Sequence, residues 1–400
     1  MLPTFPFSPS HFPFVCIHEC GCVDKSCCPA FSASDITADV GLNSFQTSGN
    51  SPGDPQACRV GILGLGHVGT AVARRLTGPD PVPHLTLTHI CDRRARDKQA
   101  RQTDALASLV WTDRFDDLLA SDVDIIIETI PGSEPAVDYV RGALLAGKSV
   151  VTSNKAVIAH QGEKLLGLAE RQGRQLRFEG AVGGAMPIVR ALGDGMTGDH
   201  VLRVQAILNG TSNVVLSRME SSGCSLDEAI AEACASGIAE SDPSDDLDGA
   251  DAAAKLAILC GLAFNIRVLP NQIDTRSTST ISASDFTKAK LRGGTIRQLA
   301  HALYDTERGR LEAWVAPTFV PHGTLFSTIY GPRNAAIITC AYAGDIMLSG
   351  QGAGGDASAV AIIADVLAIA RDRAAIVPAP KYVAAREIHG LSDSSIAEAV

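Results

Sequence analysis

The sequence predicts an α/β fold in two parts: a doubly wound parallel sheet, then an α+β region on a mixed sheet. Three observations predict it. The turn Gly64-Leu65-Gly66-His67-Val68-Gly69 separates a short apolar strand from a helix. Strands and helices then alternate at the spacing of βαβ units as far as Arg177. Beyond Arg177 the rhythm gives way to long strands mixed with helices.

The start of the chain lacks that periodicity. Cys16, Cys20, Cys22, Cys27 and Cys28 crowd there with His11 and His18, but their spacings do not repeat a Cys-x-x-Cys pair. Residues 1–57 read as a Cys-, Pro- and Ser-rich disordered extension, with a zinc knuckle as the alternative and residues 48–55 as a linker. The stretch lacks the basic start and clean apolar segment of a signal peptide. Order begins at Arg59, with a strand at 60–63 and a helix to about Leu76. Residues 84–91 alternate as a second strand with Asp92 at its end. Residues 124–128 form a β-branched run without alternation, as in a strand covered on both faces. A helix at 134–146 closes at Gly147, a strand follows at 149–152, and a helix at 156–172 ends at Gly173.

The second part reads as strands at 200–208, 295–304, 311–317 and 335–342, with helices at 226–236 and 250–263. Glu307-Arg308-Gly309 supplies a hairpin turn. A last apolar helix at 357–371 is expected to return to the first sheet. The predicted organisation is a nucleotide domain at 58–185, a substrate and dimerisation domain at 186–355, a returning helix at 356–375 and a tail at 376–400.

A chain of 400 residues suits two domains rather than one core. Its net charge of −10 argues against nucleic acid, whose phosphates need clustered Lys and Arg. No apolar run approaches the ~20 residues of a bilayer span, so a cytoplasmic protein is expected. Cys58, Cys91, Cys224, Cys234, Cys260 and Cys340 are scattered through apolar stretches, as buried reduced thiols would be.

The glycine turn carries the clearest chemistry. Gly64 permits the tight bend, Gly66 lets a pyrophosphate approach the backbone, and Gly69 lets helix and strand pack closely. The helix start then offers N–H groups and a positive dipole end to phosphate. This is a Rossmann-type dinucleotide site, and Asp92, placed to accept ribose hydroxyls, favours NAD. Arg93 and Arg94 follow at once and suit the 2′-phosphate of NADP, so the choice stays open.

Two further groups stand at carboxyl ends of strands: Glu128-Thr129-Ile130-Pro131-Gly132 and Thr152-Ser153-Asn154-Lys155. Lys155 at such a turn faces the nicotinamide crevice, where Thr129 also lies. Asn209-Gly210-Thr211 ends another strand. From Glu240 to Asp251 six acids precede Lys255. Asp251 and Lys255 share a helix face at i, i+4, on a helix otherwise apolar, which is a poor setting for a solvated pair.

Taken together these blocks resemble the homoserine dehydrogenase family over nearly all of Arg59 to about Arg371. The resemblance runs through the glycine turn, Glu128-x-Ile130-x-Gly132-x-Glu134-Pro135-Ala136 and Val150-Val151-Thr152-Ser153-Asn154-Lys155. It continues through Phe178 to Gly184, Ile207 to Asn213, Ala239 to Lys255 and Gly350-x-Gly352-Ala353-Gly354-Gly355. It implies NAD(P)H-dependent reduction of L-aspartate 4-semialdehyde to L-homoserine, on the route to threonine, methionine and isoleucine. On this likeness Lys255 is the general acid, Lys155 a second catalytic lysine, and Asp251 orients Lys255 or the reacting oxygen. Glu240 and Asp246 hold the substrate ammonium, with Gly210 and Thr211 completing the pocket. Gly352 belongs to the cofactor set. Main-chain oxygens of Glu179, Val182, Gly184 and Met186 match a loop that holds a sodium ion, and a homodimer through the central domain is expected.

Pro131, Ser153 and Ala185-Met186 depart from the family's usual residues, and none removes a charged role. With Val400 as the last residue, no C-terminal regulatory ACT domain, and hence no threonine feedback through one, is expected. Two other readings fit the same residues: an oxidoreductase on another small amino acid aldehyde or alcohol, and a non-catalytic dinucleotide sensor.

Overall fold

A strand reading Ile-Ile-Ile has no polar face, so it is stable only where both faces are covered. The strand Ile125–Glu128 meets that condition, with all four residues buried. The computed structural model describes residues 57–373 except 81, 103 and 104. The Cys-rich start and its zinc alternative, the 48–55 linker and the 376–400 tail therefore lie outside the described residues, apart from residue 57.

The first sheet comprises β1 (Cys58–Leu63), β2 (Leu85–Cys91), β3 (Val110–Thr112), β4 (Ile125–Glu128), β5 (Ser149–Thr152) and β6 (Leu176–Arg177). All pair in parallel, in the order β3-β2-β1-β4-β5-β6. The order reverses between β1 and β4, and the crevice at their carboxyl ends is where such sheets bind ligands. The helices α1 (His67–Thr77), α2 (Ala95–Gln99), α3 (Phe115–Ala120), α4 (Ala136–Leu145) and α5 (Lys155–Arg171) lie between the strands. Ile125 and Ile127 pack with Ile62 and α1, while Ile126 packs on the other side with Leu118, Val140 and Val157 of α3, α4 and α5.

The chain continues through α6 (Ile188–Arg190), β7 (Val201–Ile207), α7 (Gly210–Ser222), α8 (Leu226–Ala235), α9 (Ser244–Leu247) and α10 (Ala250–Phe264). There follow β8 (Asp274–Thr275), α11 (Ala283–Leu291), β9 (Gly294–Asp305), β10 (Arg310–Pro321), β11 (Arg333–Cys340), β12 (Gly344–Gln351) and α12 (Gly355–Arg373). The second sheet runs β12-β11-β7-β9-β10-β8, antiparallel except for the parallel pair β8 and β10. Its Val204, Ala206, Ala300, Ala302 and Ile338 bury against Ala253, Leu256 and Cys260 of α10. Ile362, Val366 and Ile369 of α12 share a core with Val72 and Leu76 of α1.

The differences from the predicted elements have local causes. The second strand starts at Leu85 because His84 takes a left-handed φ of 63°. Helix α4 starts at Ala136, with Pro135 as its N-cap residue. Periodicity predicts nothing at β3, β6 or β8, which are three, two and two residues long. Helix α7 also escapes it, because Gly210 to Asn213, Val215 to Ser217 and Met219 are all buried and leave no apolar stripe to recognise. Among the thiols, Cys224 and Cys234 are half-buried rather than buried, a correction to the uniform expectation.

Candidate active site

The glycine turn has the backbone its sequence requires. Gly64 takes φ 93°, and a Cβ there would lie 2.6 Å from Ile130 Cγ2. A Cβ on Gly69 would lie 2.1 Å from the Gly64 carbonyl, so helix and turn touch through the missing side chain. Gly66, by contrast, faces open space and is exposed. Thr129 Oγ1 donates to the Gly64 carbonyl (2.6 Å) and ties the end of β4 to the turn. His67 Nε2 accepts the Gly355 N–H (3.0 Å), which brings the start of α12 against the start of α1. A cavity of about 390 Å³ lies there, lined by Gly66, His67, Thr70, Ala71, Arg74, Gly355 and Asp356. Leu65 is buried and Val68 half-buried, so they pack rather than face this space. Gly352 backs onto Asn334, whose Oδ1 would lie 2.1 Å from a Cβ at that position.

Asp92 lies at the end of β2, as predicted, but it is not a bare ribose acceptor. Its Oδ2 accepts the Leu65 N–H (2.9 Å) and the Lys98 ammonium (2.5 Å), and its Oδ1 accepts the Arg94 N–H (2.9 Å). Lys98 also donates to the Leu65 carbonyl (2.7 Å). Burial opposes ionisation of Asp92, yet the bonds from Lys98, Arg94 and Leu65 hold its carboxyl below the usual range. Arg93 and Arg94 are exposed beside it.

The lysines meet on one carboxylate. Asp251, in the first turn of α10, takes Lys155 on Oδ1 (3.0 Å) and Lys255 on Oδ2 (2.7 Å). Lys255 donates as well to the Leu208 carbonyl (2.8 Å). Asn209 caps α7 through Oδ1 (2.7 Å to Ser212 N), and its amide donates to Asp251 Oδ2 (2.8 Å) and Asp246 Oδ1 (2.5 Å). Side-chain exposure is 10% for Asp251, 14% for Lys255 and 42% for Lys155, so the Asp251–Lys255 pair is largely covered while Lys155 stays accessible to solvent. Burial works against the charge on Asp251. The ammoniums of Lys255 and Lys155 and the bonds from Lys255 and Asn209 nevertheless hold its carboxyl well below the ordinary range. The same carboxylate holds the Lys155 ammonium above its usual value. Gly210 and Thr211 are buried in the first turn of α7, next to this cluster in sequence.

Not every predicted residue joins it. Glu240 has an exposed side chain, and among the described residues none of its hydrogen bonds or ion pairs reaches the cluster; its carbonyl accepts the Cys234 thiol (3.1 Å). Conversely, sequence pattern assigns Asn209 no role although it directly precedes Gly210, because it caps an α7 that shows no apolar periodicity. Lys98 and Asn154 were likewise silent, because their partners Asp92 and Gly132 are set by the turn geometry. Among the described residues no group of three or more His, Cys, Asp or Glu could hold a metal. A larger cavity of about 780 Å³ opens between α5 and α10, lined by residues such as Ile158, Leu166, Leu262 and Phe264, and none of the lysine cluster lines it. Size does not locate this chemistry.

A glycine turn at the crevice of a 3-2-1-4-5-6 sheet, with a carboxylate-bridged lysine pair beyond it, defines a dinucleotide-dependent oxidoreductase. Comparison with known proteins narrows the class. Residues 64–179 match the family model "Homoserine dehydrogenase, NAD binding domain", and residues 187–367 match "Homoserine dehydrogenase". The homoserine dehydrogenase of Mycobacterium tuberculosis is 38% identical over 337 residues, 80% of this chain and 74% of that one. That of Bacillus subtilis is 32% identical over 321 residues, covering 79% and 74%. The crystal structure of the Thiobacillus denitrificans enzyme superposes with a TM-score of 0.75 at 32% identity, covering 80% of this chain and 74% of that one. A hyperthermophilic archaeal homoserine dehydrogenase in complex with NADPH gives 0.66 at 26% identity, covering 79% and 98%. The chain belongs to the homoserine dehydrogenase family and is an NAD(P)-dependent oxidoreductase.

Proposed function

We propose that this chain interconverts L-aspartate 4-semialdehyde and L-homoserine, with Lys255 as general acid–base. The observation that carries it is the single carboxylate, Asp251, holding both lysines from an apolar helix. An ammonium has three donors. Lys255 spends two on Asp251 and Leu208, which leaves one for a substrate oxygen. The nicotinamide, when bound, supplies hydride to the aldehyde carbon. As the C=O electron pair moves onto oxygen, the Lys255 ammonium stabilises the developing alkoxide and releases its proton to it. Asp251 fixes the direction of that donor and Lys155, accessible to solvent, adds a second positive charge. Asp246, held by Asn209, serves the substrate ammonium from within the cluster and Glu240 from its exposed position outside it, and Gly210 and Thr211 complete the pocket. Homoserine-dependent reduction of NAD and NADP by the purified chain tests the assignment, and no turnover with either would sink it.

Both cofactors fit this reading. The bare acid that would repel a 2′-phosphate is neutralised by Lys98, and Arg93 and Arg94 stand beside it. Oδ1 of Asp92 retains lone-pair capacity for a ribose hydroxyl. The archaeal relative bound to NADPH supports use of the phosphorylated form.

A sodium ion on the main-chain oxygens of Glu179, Val182, Gly184 and Met186 belongs to the same proposal. Gly183 and Gly184 take φ of 81° and 60°, so the chain turns sharply between Val182 and Met186. The Met186 carbonyl already accepts Ile188 N–H (2.8 Å), which leaves it a second lone pair. Replacing sodium with choline chloride at constant ionic strength should lower activity or Tm; an unchanged protein would remove the ion from the scheme.

A homodimer is proposed through the outer face of the second sheet. Met347, Ile337, Gln205, His301 and Trp314 stand side by side in register, with Met347 57% exposed. The small cluster around Leu299, Phe326 and Ala335 lies next to them. A cytoplasmic place on the biosynthetic route to threonine and methionine completes the proposal; among the described residues no helix is long and apolar enough to cross a membrane.

A further inference from the structure

Glu128 ends β4, is buried, and has no part in the chemistry above. Its Oε1 accepts the Ile130 N–H (2.7 Å) and its Oε2 accepts the Thr152 hydroxyl (2.5 Å). Thr152 Oγ1 in turn accepts the Asn154 N–H (2.9 Å). Asn154 Oδ1 caps α5 by accepting from Ala156 and Val157 (3.1 and 3.2 Å), and its amide donates back to the Ile130 and Gly132 carbonyls (3.1 and 2.5 Å). The bonds close a ring. Lys155, the first residue of α5, leaves this ring for Asp251.

We propose that Glu128 is a positioning residue for Lys155, and that only its ionised form holds the ring as described; the inference rests on Lys155 acting in the proposed reaction. The donors decide which form fits. Ile130 N–H and Thr152 O–H both point at the carboxyl group, so both of its oxygens must accept, which a carboxylate does. Protonation places a hydrogen on Oε2, Thr152 must then accept it, and the Thr152 hydrogen loses its acceptor at a fully buried site. The link to Asn154 and the start of α5 loosens.

Burial pushes the Glu128 carboxyl up to about 7, partly offset by the bonds from Thr152, Ile130 and Asn154. No charged side chain contributes. Alongside Glu128, β1 places Leu63 and β5 places Thr152, the turn after β4 supplies main chain, and α5 supplies Asn154. Lys155 itself turns to Asp251.

The test is the pH profile of kcat for reduction of L-aspartate 4-semialdehyde, the direction in which Lys255 gives rather than takes the proton, in the wild type, Glu128→Gln, Thr152→Val and Thr152→Ser. Wild-type kcat should fall roughly tenfold between pH 8 and pH 6. Glutamine donates to Thr152 as the protonated acid would, so Glu128→Gln should run flat at the acid-limb value with KM for NAD(P)H within about twofold of wild type. Thr152→Val should lose the inflection and Thr152→Ser keep it, which also covers a Glu128 variant that fails to fold. A Glu128→Gln enzyme with the wild-type profile, or a Thr152→Val enzyme that keeps the inflection, overturns the proposal while leaving the reaction standing. A wild-type chain without turnover overturns both.

Discussion

Asp251 concentrates the electrostatics of the site, since one carboxylate orients two ammoniums that would otherwise repel each other. Lys255→Ala should therefore lower kcat about 100-fold or more while sparing NAD(P) affinity, because only a group acting at the reacting oxygen is removed. Wild-type-like turnover in that variant would sink the assignment. Lys98 is the residue that decides how much Asp92 repels phosphate. Lys98→Met should shift the ratio of kcat/KM for NADP to NAD toward NAD by roughly tenfold, the worth of one partly screened charge contact. A ratio unmoved by the substitution would show that Arg93 and Arg94 alone set the choice.

At the scale of elements, the glycine turn and the start of α1 separate two kinds of requirement. A Cβ on Gly69 collides with the Gly64 carbonyl, whereas one on Gly66 meets only open space. Gly69→Ala should lower Tm and activity together. Gly66→Ala should leave Tm within about 1 °C, since an exposed site without contacts costs little stability, but raise KM for the dinucleotide. Equal effects of the two on Tm, measured by calorimetry, would contradict this division. The start of α5 follows the same logic, with Asn154 satisfying N–H groups that the helix itself leaves open.

For the whole molecule, buried acids tie stability to pH. Burial pushes Glu128 and Glu179 up to about 7 from 4.5, and in Glu179 the bonds from Arg190 and Val189 offset only part of it. A folded-state value above the unfolded one means that the native chain holds more protons between these limits. Their contribution is thus full below about 4.5 and is lost as pH rises through about 7. The Tm of wild type relative to Glu128→Gln should fall between pH 5.5 and pH 8; a constant difference would show that Glu128 does not titrate there. Asp251, held low by its lysines, gives the opposite slope only in strong acid.

Much of this was legible in the chain. The Rossmann-type half follows from Gly64, Gly66 and Gly69 between strand and helix, because Gly64 and Gly69 leave no room for a side chain while the open Gly66 lets a pyrophosphate approach the backbone. Asp251 and Lys255 could be paired from their i, i+4 spacing alone, since helix geometry is local. Whatever depends on residues far apart in sequence was not legible. No local pattern joins Lys155 to Asp251, Asn209 to Asp246, or Lys98 to the Leu65 carbonyl. Nor does sequence distinguish Glu240, which stays exposed, from Asp246, which is held in the cluster. Spacing and propensity act within a helix turn or a strand, so they determined the elements and the residues that mark their ends. The partner of each charge is settled by how the two sheets and α10 pack, and only the tertiary structure decided that.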